Sequence, residues 1–224
     1  MNLPARRFDL PLRRHQLVRI CPAAWDALLA SRVDLGNDPL LREWVRNGWP
    51  LIVRRPMPGE VGGLSLGLPL PPSAGKRRIA VQLQPDHVVS VGSLPSLHSV
   101  MQASSNAWLP CLRELDELAK AYGVKAGVFG SLAWQWLTGL HYLGPGSDID
   151  IAWALPPRDR MESFVDDLAD IESRAPMRLD GELIRHDGSG VNWREVHGGD
   201  ADLALKTATE VVMCSREAFI GEPA

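Results

Sequence analysis

The chain has 224 residues, 45% hydrophobic and 23% charged, the proportions of an ordinary globular protein with length enough for one large or two small cores. No apolar run nears the ~18 residues that a membrane helix needs, and the opening "MNLPARRFDLPLRRHQ" has arginines without an apolar stretch, so neither a span nor a secretory leader is expected. The net charge of −3 hides a polarity: residues 1–78 hold 13 Lys+Arg against 6 Asp+Glu, a net of +7, and residues 79–224 hold 11 against 21, a net of −10. A basic part suits phosphates or an acidic protein and an acidic part suits metal ions, or both are solvated faces.

Taken in order, "CPAAWDALLAS" and "NDPLLREWVRNG" read as short helices with proline in the first turn, the second stopped by Gly48. "WPLIVRR" reads as a strand. "PMPGEVGGLSLGLPLPPSAG" breaks into turns and short extended pieces, because Gly and Pro forbid a regular helix. "KRRIAVQLQ" and "HVVSVGS" are strands. Residues 1–92 are therefore expected to form a small, basic, mostly β module with two helices. Cys21, Cys111 and Cys214 are odd in number and lack zinc-ligand spacing, which suits free thiols in a reducing cytoplasm.

Residues 93–224 are more regular. Trp108, Leu112, Leu115, Ala119 and Tyr122 share one helical face, ended by Gly123. "VKAGVF" is a strand, "SLAWQWLTGL" a helix, "DIDIAWAL" a strand, and "PPRDRMESFVDDLADIES" a helix with Met161, Phe164, Val165, Leu168 and Ile171 inward. "MRLDGELIR" and "GVNWREV" are expected strands flanking the turn "HDGSG". Alternating strand and helix, then paired strands, make this domain α/β or α+β with a mixed sheet. For the chain as a whole an α+β fold is expected: the β module followed by a mixed-sheet domain with flanking helices. On the helix after Gly130, Trp134 and Trp136 cannot share a face, so one is expected to point at least partly outward.

The chemistry concentrates in "GSLAWQWLTGLHYLGPGSDIDI". Alternate strand residues point to one face about 7 Å apart, so Asp148 and Asp150 converge while Ile149 and Ile151 enter the core. Two like charges there invite a cation, and carboxylate pairs of this kind bridge Mg²⁺ ions in phosphoryl-transfer sites. Gly130 lets backbone approach a ligand, the helix after it offers free N–H groups to a phosphate, and Ser131 adds a hydroxyl. Taken singly, Asp148 reads as a turn residue and Asp150 as a salt-bridge partner; the combination with Gly130 and Ser131 favours a metal site.

A glycine-serine turn, a helix and an aspartate pair on the next strand resemble the nucleotidyltransferase superfamily typified by DNA polymerase β. That resemblance implies a nucleotidyltransferase-like domain over residues 93–224 and a third carboxylate from a neighbouring strand: Asp180 or Glu182 of "RLDGEL", with Asp180 preferred. "GVFGSLAWQWLTGLHYLGPGSDIDI" and "RLDGELIRHDGSGVNWREV", with "WPLIVRRP" and "GLSLGLPLPPSAGKRRIAVQL" upstream, further resemble the phosphoribosyl-dephospho-CoA transferases, the malonate decarboxylase holo-acyl-carrier-protein synthases. This narrower resemblance implies transfer of 2'-(5''-triphosphoribosyl)-3'-dephospho-CoA to a serine of the malonate decarboxylase acyl carrier protein, with release of pyrophosphate.

On that reading Asp148, Asp150 and Asp180 are catalytic and hold two Mg²⁺ ions, Asp180 also being a possible acceptor of the serine proton. Gly130 and Ser131 hold the β- and γ-phosphates. A triphosphate needs further positive charge, for which Arg54, Arg55, Lys76, Arg77 and Arg78 are candidates, followed by Lys206. The same basic residues also suit carrier-protein contacts or exposed strand ends, and Arg14 and His15 suit either site. No aromatic-plus-basic pattern points to nucleic acid. Two alternatives stay open from sequence: nucleotidyl transfer to a small molecule or another protein, and a non-catalytic binding protein of the same fold.

Overall fold

The computed structural model describes residues 12–221; the arginine-bearing opening through residue 11, expected to lack a leader, lies outside the described residues. The chain divides into two compact units, one ending at Ser93 and the next beginning at Leu94.

The first unit is a five-stranded antiparallel sheet with two short helices. Its strands are β1 (Leu17–Ile20), β2 (Leu51–Val53), β3 (Leu64–Pro69), β4 (Arg78–Leu83) and β5 (Val88–Gly92), in the order β4-β3-β2-β1-β5. The Gly- and Pro-rich stretch supplies a full six-residue strand in β3. Sequence reading did not anticipate β1, four residues whose only support is non-local, between β2 and β5. Helices α1 (Pro22–Ser31) and α2 (Pro39–Trp44) each begin with proline, whose missing N–H is no loss in a first turn. The Asp38 carboxylate caps α2 by accepting from Leu40 and Leu41 N–H. Trp25 and Trp44 are fully buried, and each indole N–H is satisfied, donating to Leu41 O at 2.7 Å and Pro50 O at 3.0 Å.

The second unit holds a six-stranded sheet built from β6 (Ala126–Phe129), β7 (Ile149–Ala154), β8 (Leu179–Ile184), β9 (Gly190–Asn192), β10 (Asp202–Lys206) and β11 (Val211–Ser215), in the order β11-β10-β9-β8-β7-β6. Among the described residues only β7 and β8 pair in parallel, and the crossover between them is α6 (Met161–Arg174). Helices α3 (Leu97–Val100), α4 (Leu109–Tyr122), α5 (Gly130–Thr138), α7 (Trp193–His197) and α8 (Arg216–Gly221) complete the unit. The architecture is α+β, as expected.

The expected inward face of α6 is buried in full: Met161, Phe164, Val165, Leu168 and Ile171. Leu112, Leu115 and Tyr122 of α4 join the same core. Phe164 is its hub, meeting Tyr122 and Trp153 edge-to-face at centroid distances of 5.2 and 5.4 Å. Tyr122 keeps its hydroxyl satisfied on Asp167 Oδ2 at 2.7 Å. Trp134 is buried and Trp136 packs partly exposed against the core, the division expected for residues two apart on a helix.

"GVNWREV" departs from expectation. Strand pairing ends at Asn192, and Trp193 opens α7. The Asn192 side chain accepts from Arg194 N–H, and an asparagine in this capping position favours a turn into helix over continued strand.

Strand β7 alternates strictly: Ile149, Ile151 and Trp153 are buried, and Asp150, Ala152 and Ala154 lie half-buried on the opposite face. Its register with β8 sets Asp150 beside Asp180 and Ile151 beside Gly181. A Cβ at Gly181 would stand 2.2 Å from Ile151 O, so only glycine admits this approach. Gly181→Ala should therefore lower the unfolding free energy by about 1–3 kcal/mol through overpacking, read as a lower urea midpoint at unchanged slope; an unshifted midpoint contradicts the register.

Candidate active site

Three carboxylates meet at one end of the second sheet. One oxygen each from Asp148, Asp150 and Asp180 lies within 4.8 Å of the others, and all three residues are half-buried. Asp148 sits one residue ahead of β7 and keeps the parity of Asp150; Asp180 arrives through the parallel pairing with β8. Glu182 does not join them. It is buried, and its Oε1 takes Lys206 Nζ at 2.8 Å across β9. The geometry thus brings Asp180, and not Glu182, to the aspartate pair and gives Lys206 a carboxylate partner inside the sheet.

The glycine-serine turn lies against the same cluster. Phe129 pairs with Asp150 in the β6–β7 ladder, and the next residue opens α5 with φ of +66°, a left-handed backbone. A Cβ on Gly130 would fall 1.8 Å from Asp150 Oδ2. Glycine is required twice there, for its φ and for the carboxylate. Helix α5 thus starts at the residue that abuts Asp150, its first N–H groups have no intrahelical acceptor, and Ser131, half-buried, follows Gly130.

Asp180 has an elaborate surround. Its Oδ1 accepts from Gly181 N at 2.9 Å and from Asn192 Nδ2 at 3.0 Å. Arg194 Nη1 stands 3.6 Å from Oδ1 and Arg178 Nη2 3.9 Å from Oδ2. Sequence reading named none of Asn192, Arg194 and Arg178. The available signal was the helix-start pattern of an asparagine with glutamate three residues on, Asn192 and Glu195.

Three ionised carboxylates this close repel by ~3.5 kcal/mol or more per pair at an effective dielectric of 20. Their donor set is all hard oxygen, and the missing Cβ at Gly130 makes room for the Asp150 carboxylate itself. These residues fit Mg²⁺, which takes few carboxylates and fills its other positions with water and phosphate oxygens.

The other predicted basic residues all belong to the first unit. Arg54 forms a bidentate pair with Glu60 and donates to Leu66 O and Arg55 O. The Arg54 guanidinium holds the Glu60 carboxyl down at about 2, so Arg54 acts as an internal tie between β2 and the loop before β3. Arg55 is half-buried, with its Nε buried and lacking a hydrogen-bond partner. Lys76, at φ of +52°, is exposed. Arg77 pairs with Asp38 and, with Arg78, lines a groove of about 850 Å³ over β4 that also contains Arg32, Asp34 and Glu60. Arg14 Nη2 lies 3.0 Å from His15 Nε2.

Known proteins decide the family. Residues 13–93 match the family model "Phosphoribosyl-dephospho-CoA transferase MdcG N-terminal domain", and residues 96–217 match its C-terminal counterpart. A phosphoribosyl-dephospho-CoA transferase of Bradyrhizobium diazoefficiens is 48% identical over 98% of this chain and 97% of its own length. The chain belongs to the phosphoribosyl-dephospho-CoA transferase family. A relative of that name from Xanthomonas euvesicatoria pv. vesicatoria is 34% identical over 92% of this chain and 95% of its own, and one from Azotobacter vinelandii is 26% identical over 74% and 80%. No solved structure matches the chain. The protein is thus a transferase enzyme. The two family-model matches fall on either side of the break between the compact units, and Asp148, Asp150 and Asp180 lie in the C-terminal match. Among the described residues no helix is long and apolar enough to cross a membrane, and Cys21, Cys111 and Cys214 are free thiols.

Gly130→Ala tests the turn directly. The new methyl displaces the Asp150 carboxylate, and misplacement by an ångström at a reacting centre costs about 10²-fold in rate. Transferase activity should fall on that order with an intact circular dichroism spectrum; wild-type activity contradicts the placement of the turn.

Proposed function

We propose that the protein transfers the 2'-(5''-triphosphoribosyl)-3'-dephospho-CoA group to a serine of the malonate decarboxylase acyl carrier protein. The serine Oγ bonds to the α-phosphorus, the bond from that phosphorus to the α–β bridging oxygen breaks, and pyrophosphate leaves with the electron pair. The serine proton goes to a carboxylate of the site or to solvent. The observation that carries this reading is the convergence of Asp148, Asp150 and Asp180 in front of the Gly130–Ser131 turn, in a chain of this transferase family.

Asp148, Asp150 and Asp180 would hold Mg²⁺, two ions in this proposal. When bound, the metal neutralises phosphate charge and makes the attacking hydroxyl more acidic. The residues of the chain do the rest. The N-terminal N–H groups of α5 and the Ser131 hydroxyl bind the β- and γ-phosphate oxygens, adding the positive end of a nine-residue helix. Asp180 serves as a fixed ligand more readily than as a base, since its Oδ1 already accepts two hydrogen bonds. Lys76, Arg77 and Arg78 lie exposed at and before the start of β4 in the part of the sequence with net charge +7, which suits steering of an acidic carrier protein.

The test is transfer itself. Purified protein, Mg²⁺, the triphosphoribosyl donor and the apo carrier should yield a carrier whose intact mass rises by the prosthetic group. Asp148→Ala, Asp150→Ala and Asp180→Ala should each reduce the rate at least ~10²-fold, as removal of charge stabilisation at a transition state does. An unchanged carrier mass, with another nucleotide or acceptor labelled instead, overturns the proposed acceptor; full activity in the aspartate variants overturns the site.

A further inference from the structure

We propose that Asn192 is a positioning residue for Asp180, locking that carboxylate through Oδ1 so that Oδ2 is the oxygen presented to the ligand. The inference rests on the metal-site reading above and adds the group that orients its third carboxylate. Asn192 ends β9, directly across from Glu182 of β8, so its side chain reaches diagonally to Asp180. Its two ends do different jobs. Oδ1 accepts from Arg194 N at 2.9 Å and caps α7, and Nδ2 donates to Asp180 Oδ1 at 3.0 Å.

The cap fixes the amide orientation, and that orientation in turn points the donor at the carboxylate. Aspartate or serine would cap a helix as well as asparagine, but neither places a donor at this length beyond the cap. The residue type is accounted for by the second hydrogen bond.

The surroundings reinforce the lock. Gly181 N donates to the same Oδ1 at 2.9 Å. Arg194, the residue whose N–H Asn192 caps, brings Nη1 to 3.6 Å from that oxygen while Nη2 donates to Glu172 Oε1 and Leu179 O. Two hydrogen bonds and a guanidinium therefore converge on Oδ1, and Oδ2, with the exposed Arg178 Nη2 at 3.9 Å, is the oxygen left to reach a ligand. Carboxylates that bind metals are commonly oriented by such hydrogen bonds, and losing one weakens metal affinity about 10- to 100-fold.

The experiment measures Mn²⁺ binding to the full chain by electron paramagnetic resonance of free Mn²⁺, beside transfer activity and thermal unfolding. Wild type should bind Mn²⁺ and Asp150→Ala should not. Asn192→Ser keeps a capping oxygen for Arg194 N–H but loses the donor to Asp180. It should melt within a degree or two of wild type and bind Mn²⁺ at least about tenfold more weakly, with transfer reduced and partly restored by excess metal. Wild-type Mn²⁺ affinity in Asn192→Ser would reduce Asn192 to a helix cap and overturn the proposal. Absence of Asp150-dependent Mn²⁺ binding in the wild type is a different result: it removes the metal site itself, and this assignment with it.

Discussion

Mutual repulsion among Asp148, Asp150 and Asp180 is the constraint around which the second unit is arranged. Carboxylates within 4.8 Å of one another would separate if their backbones allowed it. The backbones do not. Asp150 and Asp180 are register partners on neighbouring parallel strands, and that register is enforced by Gly181, which alone lets β8 approach Ile151 so closely. Ile149, Ile151 and Trp153 anchor the opposite face of β7 in the core beside Phe164. A one-residue slip would exchange the aspartates for isoleucines.

The same cluster explains the features placed around it. Gly130 is a glycine because a side chain there would occupy the space of the Asp150 carboxylate. Helix α5 begins at that residue, so its electropositive end lies next to Asp150. On the far side, Arg178 and Arg194 flank Asp180 and Asn192 holds it. A site so acidic in front and so tied behind suits a cation and a polyphosphate together, which agrees with a family of transferases named for a phosphoribosyl-dephospho-CoA group.

The site was legible in sequence where the chemistry is local. Parity places Asp148 and Asp150 on one face, and a glycine-serine pair between a strand and a helix is a short-range signal. The choice between Asp180 and Glu182 was not local, since the two share a strand face. They are separated by the register with β7, which sets Asp180 beside Asp150 and Glu182 beside Ala152, and by the pairing of Glu182 with Lys206 across β9. The supporting residues were hidden by an error of element type, since "GVNWREV" alternates well enough to pass for a strand while Asn192 turns it into α7. Hairpin β10–β11 was hidden too. Its turn has no glycine or proline, and the Thr207 hydroxyl accepts from Thr209 and Glu210 N–H in their place. Its outer strand exposes Val211 and Met213, so burial imposes no alternation. In the first unit, the arginines of "VRR" looked available for phosphate, yet Arg54 is held by a glutamate six residues on.

Anomalous diffraction from crystals of the protein grown with Mn²⁺ and the triphosphoribosyl donor tests the central claim most directly. The account predicts anomalous peaks within coordination distance of Asp148, Asp150 and Asp180, with donor phosphates between the metal and the N-terminus of α5. Crystals that hold Mn²⁺ elsewhere, or the donor away from Gly130 and Ser131 with these three carboxylates bound only to protein groups, would contradict it.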